Sequence, residues 1–194
     1  MTLRVVQPTP ESIEVVRSQL SQLAGRAEFR GRALGRASPL NLALTAPHDV
    51  YVLGLDQLAE GAALDAARVV ARRFLVVDGD RAVASAELTG PDESGFQANE
   101  GPYVESTAAA IARAERDPAL ADGDYQVRVL RIPALYFMAL WLKDQRGDGD
   151  LVFPLAPAPP PFEAGRGYRP DEVLSQLAPS ARQRLQVDDI GGRA

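Results

Sequence analysis

The chain has 194 residues, 46% of them apolar and 24% charged, with a formal net charge of −5 at pH 7. This is the balance of a globular protein large enough to bury a core without a staple. With no cysteine and a single histidine, His48, it excludes disulfides, thiolate metal centres, cysteine nucleophiles and metal sites built from several histidines.

In chain order, Leu3, Val5 and Val6 predict a short first strand. Thr9-Pro10-Glu11 is a helix start: a capping hydroxyl, a proline suited to the first helical position and an acid at the positive end of the dipole. Ile13, Val16, Leu20 and Leu23 then recur at helical spacing, up to Gly25. Residues 26–36 read as a weaker helix around Phe29, Ala33 and Leu34. Leu40, Leu42 and Leu44 alternate with polar or small residues as in a strand. Pro47-His48-Asp49 reads as a turn, and Val50 to Leu55 as the return strand. Asp56 to Gly61 fits a helical turn, and 62–71 is ambiguous between helix and strand.

The clearest local signal is a β-hairpin from Arg72 to Leu88, turning at Asp78-Gly79-Asp80. On its second arm Val83, Ser85 and Glu87 share one face, and Ala82, Ala84, Ala86 and Leu88 the other. Residues 90–102 read as an acidic loop bounded by glycine and proline, and 103–116 as a helix with Val104, Ala108, Ile111, Ala112 and Glu115 near one side. Tyr125 to Lys143 is strand-like but interrupted at Pro133, which has no N–H for a ladder. Beyond Leu135 both alternating sets are apolar, which predicts a strand covered on both faces. A polar turn from Asp144 to Asp150 leads to a short strand, Leu151-Val152-Phe153.

Residues 154–161 are proline-rich and predict an extended strap anchored by Phe153 and Phe162. Residues 170–186 return to helix, with a break at Ala178-Pro179. The fold class expected is therefore α+β: an antiparallel sheet of hairpin-linked strands packed with helices, and a proline-rich strap before a C-terminal helical segment. A single domain is expected over residues 1–186 and a flexible tail over 187–194.

Few residues point to chemistry. His48, in its turn, reads as an exposed side chain, and no Gly-x-Ser-x-Gly elbow accompanies it. Asp144, Asp148 and Asp150 only loosely follow calcium-loop spacing and lack the distal glutamate, so no metal or cofactor is expected. Gly31 to Gly35 and Gly165-Arg166-Gly167 lack the lysine and the strand–helix context of a phosphate loop. Arg26 and Arg30 share a helix face and could meet an acidic partner. Pro157 and Pro160 belong to P-x-x-P patterns that aromatic grooves can bind. Glu87, Arg128 and Arg131, with Tyr136 nearby, lie in apolar strand-like segments, where a carboxylate and a guanidinium could meet in a cleft.

Two functions follow as expectations. The first is a non-catalytic protein-binding or assembly protein, with a protein partner or self-association. The alternative is a small enzyme or small-molecule binder using the Glu/Arg cleft. Arginine supplies nearly every basic side chain, Lys143 being the only lysine, a bias of GC-rich coding that suggests a bacterial source. The acidic balance disfavours nucleic acid and anionic lipid. With no apolar stretch long enough to span a bilayer and no leader-like start, a cytoplasmic protein without membrane contact is expected.

Overall fold

A computed structural model describes residues 2–24, 33–37, 41–147 and 149–191. Their elements run β1 (Thr2–Arg4), α1 (Pro10–Ala24), α2 (Ala33–Arg36), β2 (Leu42–Val52), α3 (Leu55–Ala59), β3 (Arg68–Asp78), β4 (Arg81–Thr89) and β5 (Gly95–Asn99). There follow α4 (Pro102–Arg116), β6 (Asp124–Ile132), β7 (Phe137–Asp144), β8 (Leu151–Pro154) and α5 (Pro170–Gly191). The architecture is α+β. The strands form one eight-stranded, mostly antiparallel sheet in the order β5-β4-β3-β2-β6-β7-β8. Two pairings are parallel: β1 joins Asp124 to Gln126 of β6, and β2 joins Arg128 to Arg131. Because β7 occupies the other edge of β6 along its length, β1 and β2 lie end to end on one edge.

Alternation along the strands divides the core into layers. Leu75, Val127, Leu140 and Leu142 meet Val104, Ala110, Ile111 and Ala114 of α4 on one face. On the opposite face Phe74, Val76, Ala84, Ala86 and Leu88 meet Val16 and Leu20 of α1. Further along that face, Leu130, Ile132, Ala139, Trp141 and Val152 meet Val173, Leu177 and Ala181 of α5. The start of α1 follows from its cap, since the Ser12 N–H donates to Thr9 Oγ1 at 3.1 Å. The hairpin turns at Gly79, whose φ of 59° suits glycine. Pro133 makes a tight turn through Pro133–Leu135 between β6 and β7.

The structure differs from the sequence reading at several points. Pro47-His48-Asp49 is no turn: β2 runs through it, with an irregularity between Thr45 and His48 that places Pro47 where no ladder N–H is needed. The acidic loop at 90–102 contains the edge strand β5. Helix α4 buries Val104, Thr107, Ala110, Ile111 and Ala114, with Glu115 exposed. Helix α5 is unbroken at Pro179. Pro179 and Ser175, whose carbonyl loses the backbone bond, are both exposed, so water can satisfy that carbonyl. The same helix continues to Gly191, past the point where a tail is expected. The strap is bent by turns rather than continuously extended, but Phe153 and Phe162 are buried at its ends. Most of the weaker helix expected at 26–36, with Phe29, Arg26 and Arg30, lies outside the described residues, as does Asp148. Among the described residues no helix is long and apolar enough to cross a membrane.

Leu130 is fully buried between the sheet and α5. Leu130→Ala is expected to cost about 2–5 kcal/mol of unfolding free energy, read as a lower urea midpoint with an unchanged slope.

Candidate functional site

Cross-strand register assembles the site. Glu87 of β4 stands directly opposite Arg73 of β3, and Arg73 stands opposite His48 of β2. Directly opposed residues share a face, so all three point toward α4. Arg131 arrives from β6, beyond β2, and reaches over the intervening strands. Its Nη1 donates to Glu87 Oε2 at 2.9 Å and its Nη2 to Glu87 Oε1. Arg73 Nε lies 3.5 Å from the same Oε1. Glu87 is 2% exposed, Arg73 1% and His48 0%. One buried carboxylate is thus shared by two guanidinium groups.

The neighbours satisfy only part of the cluster. Arg73 Nη1 donates to Thr107 Oγ1 of α4 at 3.3 Å and touches Met138 Sδ at 3.8 Å, while the Thr107 hydroxyl donates to the Tyr103 carbonyl. The buried atoms Arg73 Nε, Arg131 Nε, Ser85 Oγ and His48 Nε2 have no hydrogen-bond partner. Burial pulls the Arg73 pKa down to about 10, against the pull of Glu87, so the guanidinium stays charged at neutral pH. The His48 pKa falls to about 3, first through burial and then through the Arg73 charge. His48 is therefore neutral, with Nδ1 donating to the Ala46 carbonyl at 2.6 Å and Nε2 left as an acceptor.

A cavity of about 260 Å³ opens on this cluster, walled by Arg73, Arg131, Met138, Gln97, Asn99, Glu100, Tyr103 and Val104. Tyr103, in the first turn of α4, ties the wall together: its hydroxyl lies 3.1 Å from the Tyr136 carbonyl and 3.3 Å from that of Pro157. Glu100 accepts the Leu34 N–H at 2.6 Å. A larger groove of about 670 Å³ runs between the start of α5 and residues 61–65. Its Lys143 and Asp150 already pair at 3.4 Å, and Asp150 also accepts from Trp141 Nε1. The smaller cavity is the one walled by Arg73 and Arg131, two of the buried residues with an under-satisfied polar atom, and a few polar groups on a concave wall are what a binding site needs.

Of the residues singled out in the sequence, Glu87 and Arg131 meet. Arg128 does not join them. It lies on the opposite face, over the rings of Tyr51 and Trp141 at 4.7 Å from each centroid, and donates to Gln126 Oε1. Strand alternation makes this necessary, because positions 128 and 131 differ by an odd number. Tyr136 also stands apart: the residue is 80% exposed, and its carbonyl accepts the Tyr103 hydroxyl. Pro157 and Pro160 are exposed on the strap. His48 is buried, not exposed in a turn. The sequence does not single out Arg73, Thr107 or Tyr103; the hairpin brings Arg73 near Glu87, but only the register shift after Val77 and Ala82 sets the two opposite each other. Among the described residues no acidic or histidine cluster fits a metal ion. Set against profiles of known families, characterised proteins and solved structures, the chain matches none.

The depressed His48 pKa fixes a pH dependence. Unfolded, the ring titrates near 6.5; folded, near 3. Between those values the unfolded chain binds a proton that the folded one refuses. The contribution is complete above the upper value and is lost as pH falls toward the lower one, at about 1.4 kcal/mol per pH unit. Urea titrations from pH 7 to pH 4 should show wild type losing stability more steeply than His48→Gln, which keeps a donor for the Ala46 carbonyl and does not titrate.

Proposed function

We propose that the protein is a non-catalytic binding protein that holds a small molecule in the cleft between α4 and the sheet. The observation that carries this reading is Arg73, a charged side chain almost wholly buried beside a cavity, whose Nε makes no hydrogen bond and which has only a shared carboxylate to neutralise it. Buried charge of this kind is costly unless something completes its surroundings. Binding rather than catalysis is supported by the condition of the titratable groups. Both oxygens of Glu87 are held by guanidinium donors, which disfavours its use as a base. The His48 ring is neutral and fixed through Nδ1. A bacterial, cytosolic setting belongs to the same proposal and is supported by the cysteine-free, arginine-dominated composition.

A thermal-shift screen of a metabolite panel of mixed charge tests the reading. Asn99 is half-buried on the cavity wall, so Asn99→Trp should fill the space. The expected result is that panel members raise the melting temperature of wild type but not of Asn99→Trp. A wild type that responds to no member sinks the proposal.

A second reading is a protein partner or self-association. It is favoured by Val69 and Val70, 54% and 43% exposed on the part of β3 that extends beyond its last pairing with β4 at Ala71 and Thr89. Such an edge can accept another strand. Light scattering at rising concentration should show mass above the monomer, lowered by Val69→Lys. A monomer at every concentration, with no effect of the variant, counts against self-association.

A further inference from the structure

The cleft selects its occupant by charge, and this step rests on the reading that the cleft is a binding site. Four charged side chains line or floor the cavity. Arg73 and Arg131 are cationic, and Glu87 neutralises one of them. Glu100, the other carboxylate, accepts the Leu34 N–H and makes no ion pair with either guanidinium. His48, behind Arg73, is neutral. The cluster of Arg73 and Arg131 on Glu87 therefore carries one positive charge in excess, with the Glu100 charge apart from it on the wall, inside a protein interior where charges interact more strongly than in water. Arg73 and Arg131 both line the cavity, each with a buried Nε that makes no hydrogen bond, and guanidinium groups match the planar oxygens of a carboxylate. Pro102, Val104 and Met138 offer an apolar surface on the rest of the wall. The volume, about 260 Å³, lies just below the range of about 300–1,000 Å³ that holds drug-sized ligands.

We propose that the ligand is a short-chain organic monocarboxylate, with its carboxylate against Arg73 and Arg131 and its apolar chain along Pro102, Val104 and Met138. A single negative charge balances the excess. A dianion would exceed it and meet Glu87 and Glu100 at close range. A neutral or cationic molecule would leave the guanidinium uncompensated.

Calorimetry and amide chemical-shift mapping on the full chain, with butyrate, butyramide, butylammonium and inorganic phosphate as probes, test this at fixed ionic strength. Butyrate is expected to bind one to one and to shift amides of β5 and the first turn of α4, with butyramide weaker by about tenfold or more. Glu100→Gln keeps an acceptor for the Leu34 N–H and removes a like charge, so it should tighten butyrate by about threefold or more and leave butyramide unchanged. Arg73→Gln, shown folded by circular dichroism, should lose butyrate binding; if it does not fold, Glu100→Gln carries the test. Butyramide or butylammonium binding as tightly as butyrate overturns the charge assignment but leaves the cleft as a binding site. Phosphate binding more tightly than butyrate overturns the carboxylate assignment. Silence from all four probes and from the metabolite panel overturns the ligand and the binding reading together.

Discussion

The pairing of β2 with β6 is the constraint on which the rest of the molecule depends. On one side lies the antiparallel set β2-β3-β4-β5, on the other β6-β7-β8, and the parallel ladder between them covers only Asp49 to Val52 against Arg128 to Arg131. The first half of β2, Leu42 to Thr45, pairs with β3 alone. Beyond Ala46-Pro47 the strand keeps β3 and gains β6 as a second partner; there Ala46 takes a φ of 46° and the Pro47 carbonyl accepts the Val6 N–H just beyond β1. The irregularity is thus what lets one strand serve both halves, and β1 fills the edge of β6 that β2 does not reach.

Charged side chains concentrate where this ladder is short. On the α4 face, Glu87 ties β4 and β3 to β6 through Arg73 and Arg131. On the other face, Arg72 pairs with Asp49 at 3.2 Å and with Glu93 at 2.7 Å, and Glu93 in turn accepts from the Ser12 hydroxyl in the first turn of α1. A buried ion pair is weak evidence for stability, because desolvation offsets the Coulomb attraction. The apolar layers against α1, α4 and α5 supply most of the stabilisation. What the ionic groups add is orientation: a bidentate guanidinium–carboxylate pair is directional, and here it fixes how the two halves meet.

Legibility in the sequence followed the range of the physical signal. Elements set by neighbours in the chain were readable: the Thr9-Pro10 helix start, the turn at Gly79, the break at Pro133 and the two-sided apolar strand β7. Features set by distant parts of the chain were not. Nothing local to Pro47-His48-Asp49 distinguishes a turn from a bulge within a strand that gains a second partner beyond it. The site shows the same division. Counting back from the turn, where Asp78 pairs with Arg81, puts Glu87 opposite Arg72. One bulged residue at Val83 shifts the register, so that Glu87 faces Arg73 instead, and a one-residue slip moves a side chain to the other face. Glu87 and Arg131 were legible as charges out of place in apolar strands. The parity that removes Arg128 from their face was also in the sequence, but it becomes decisive only once Arg131 is known to be the partner.

The place of the cavity follows from the same constraint. Arg73 and Arg131 come from opposite sides of the short ladder, Gln97 and Asn99 from the far edge strand, and Tyr103 and Val104 from α4. Tyr103 then ties α4 to the β6–β7 turn and the strap through the carbonyls of Tyr136 and Pro157, while the apolar side of α4 packs on Leu75 and Ala82 of one half and Val127 and Leu140 of the other. A molecule resting on both guanidinium groups touches both halves at once. Its interaction energy adds directly to whatever holds the halves together, because only the assembled cleft offers both contacts. On the proposed reading, occupancy of the cleft therefore strengthens the junction of the two halves, where the parallel ladder covers only Asp49 to Val52.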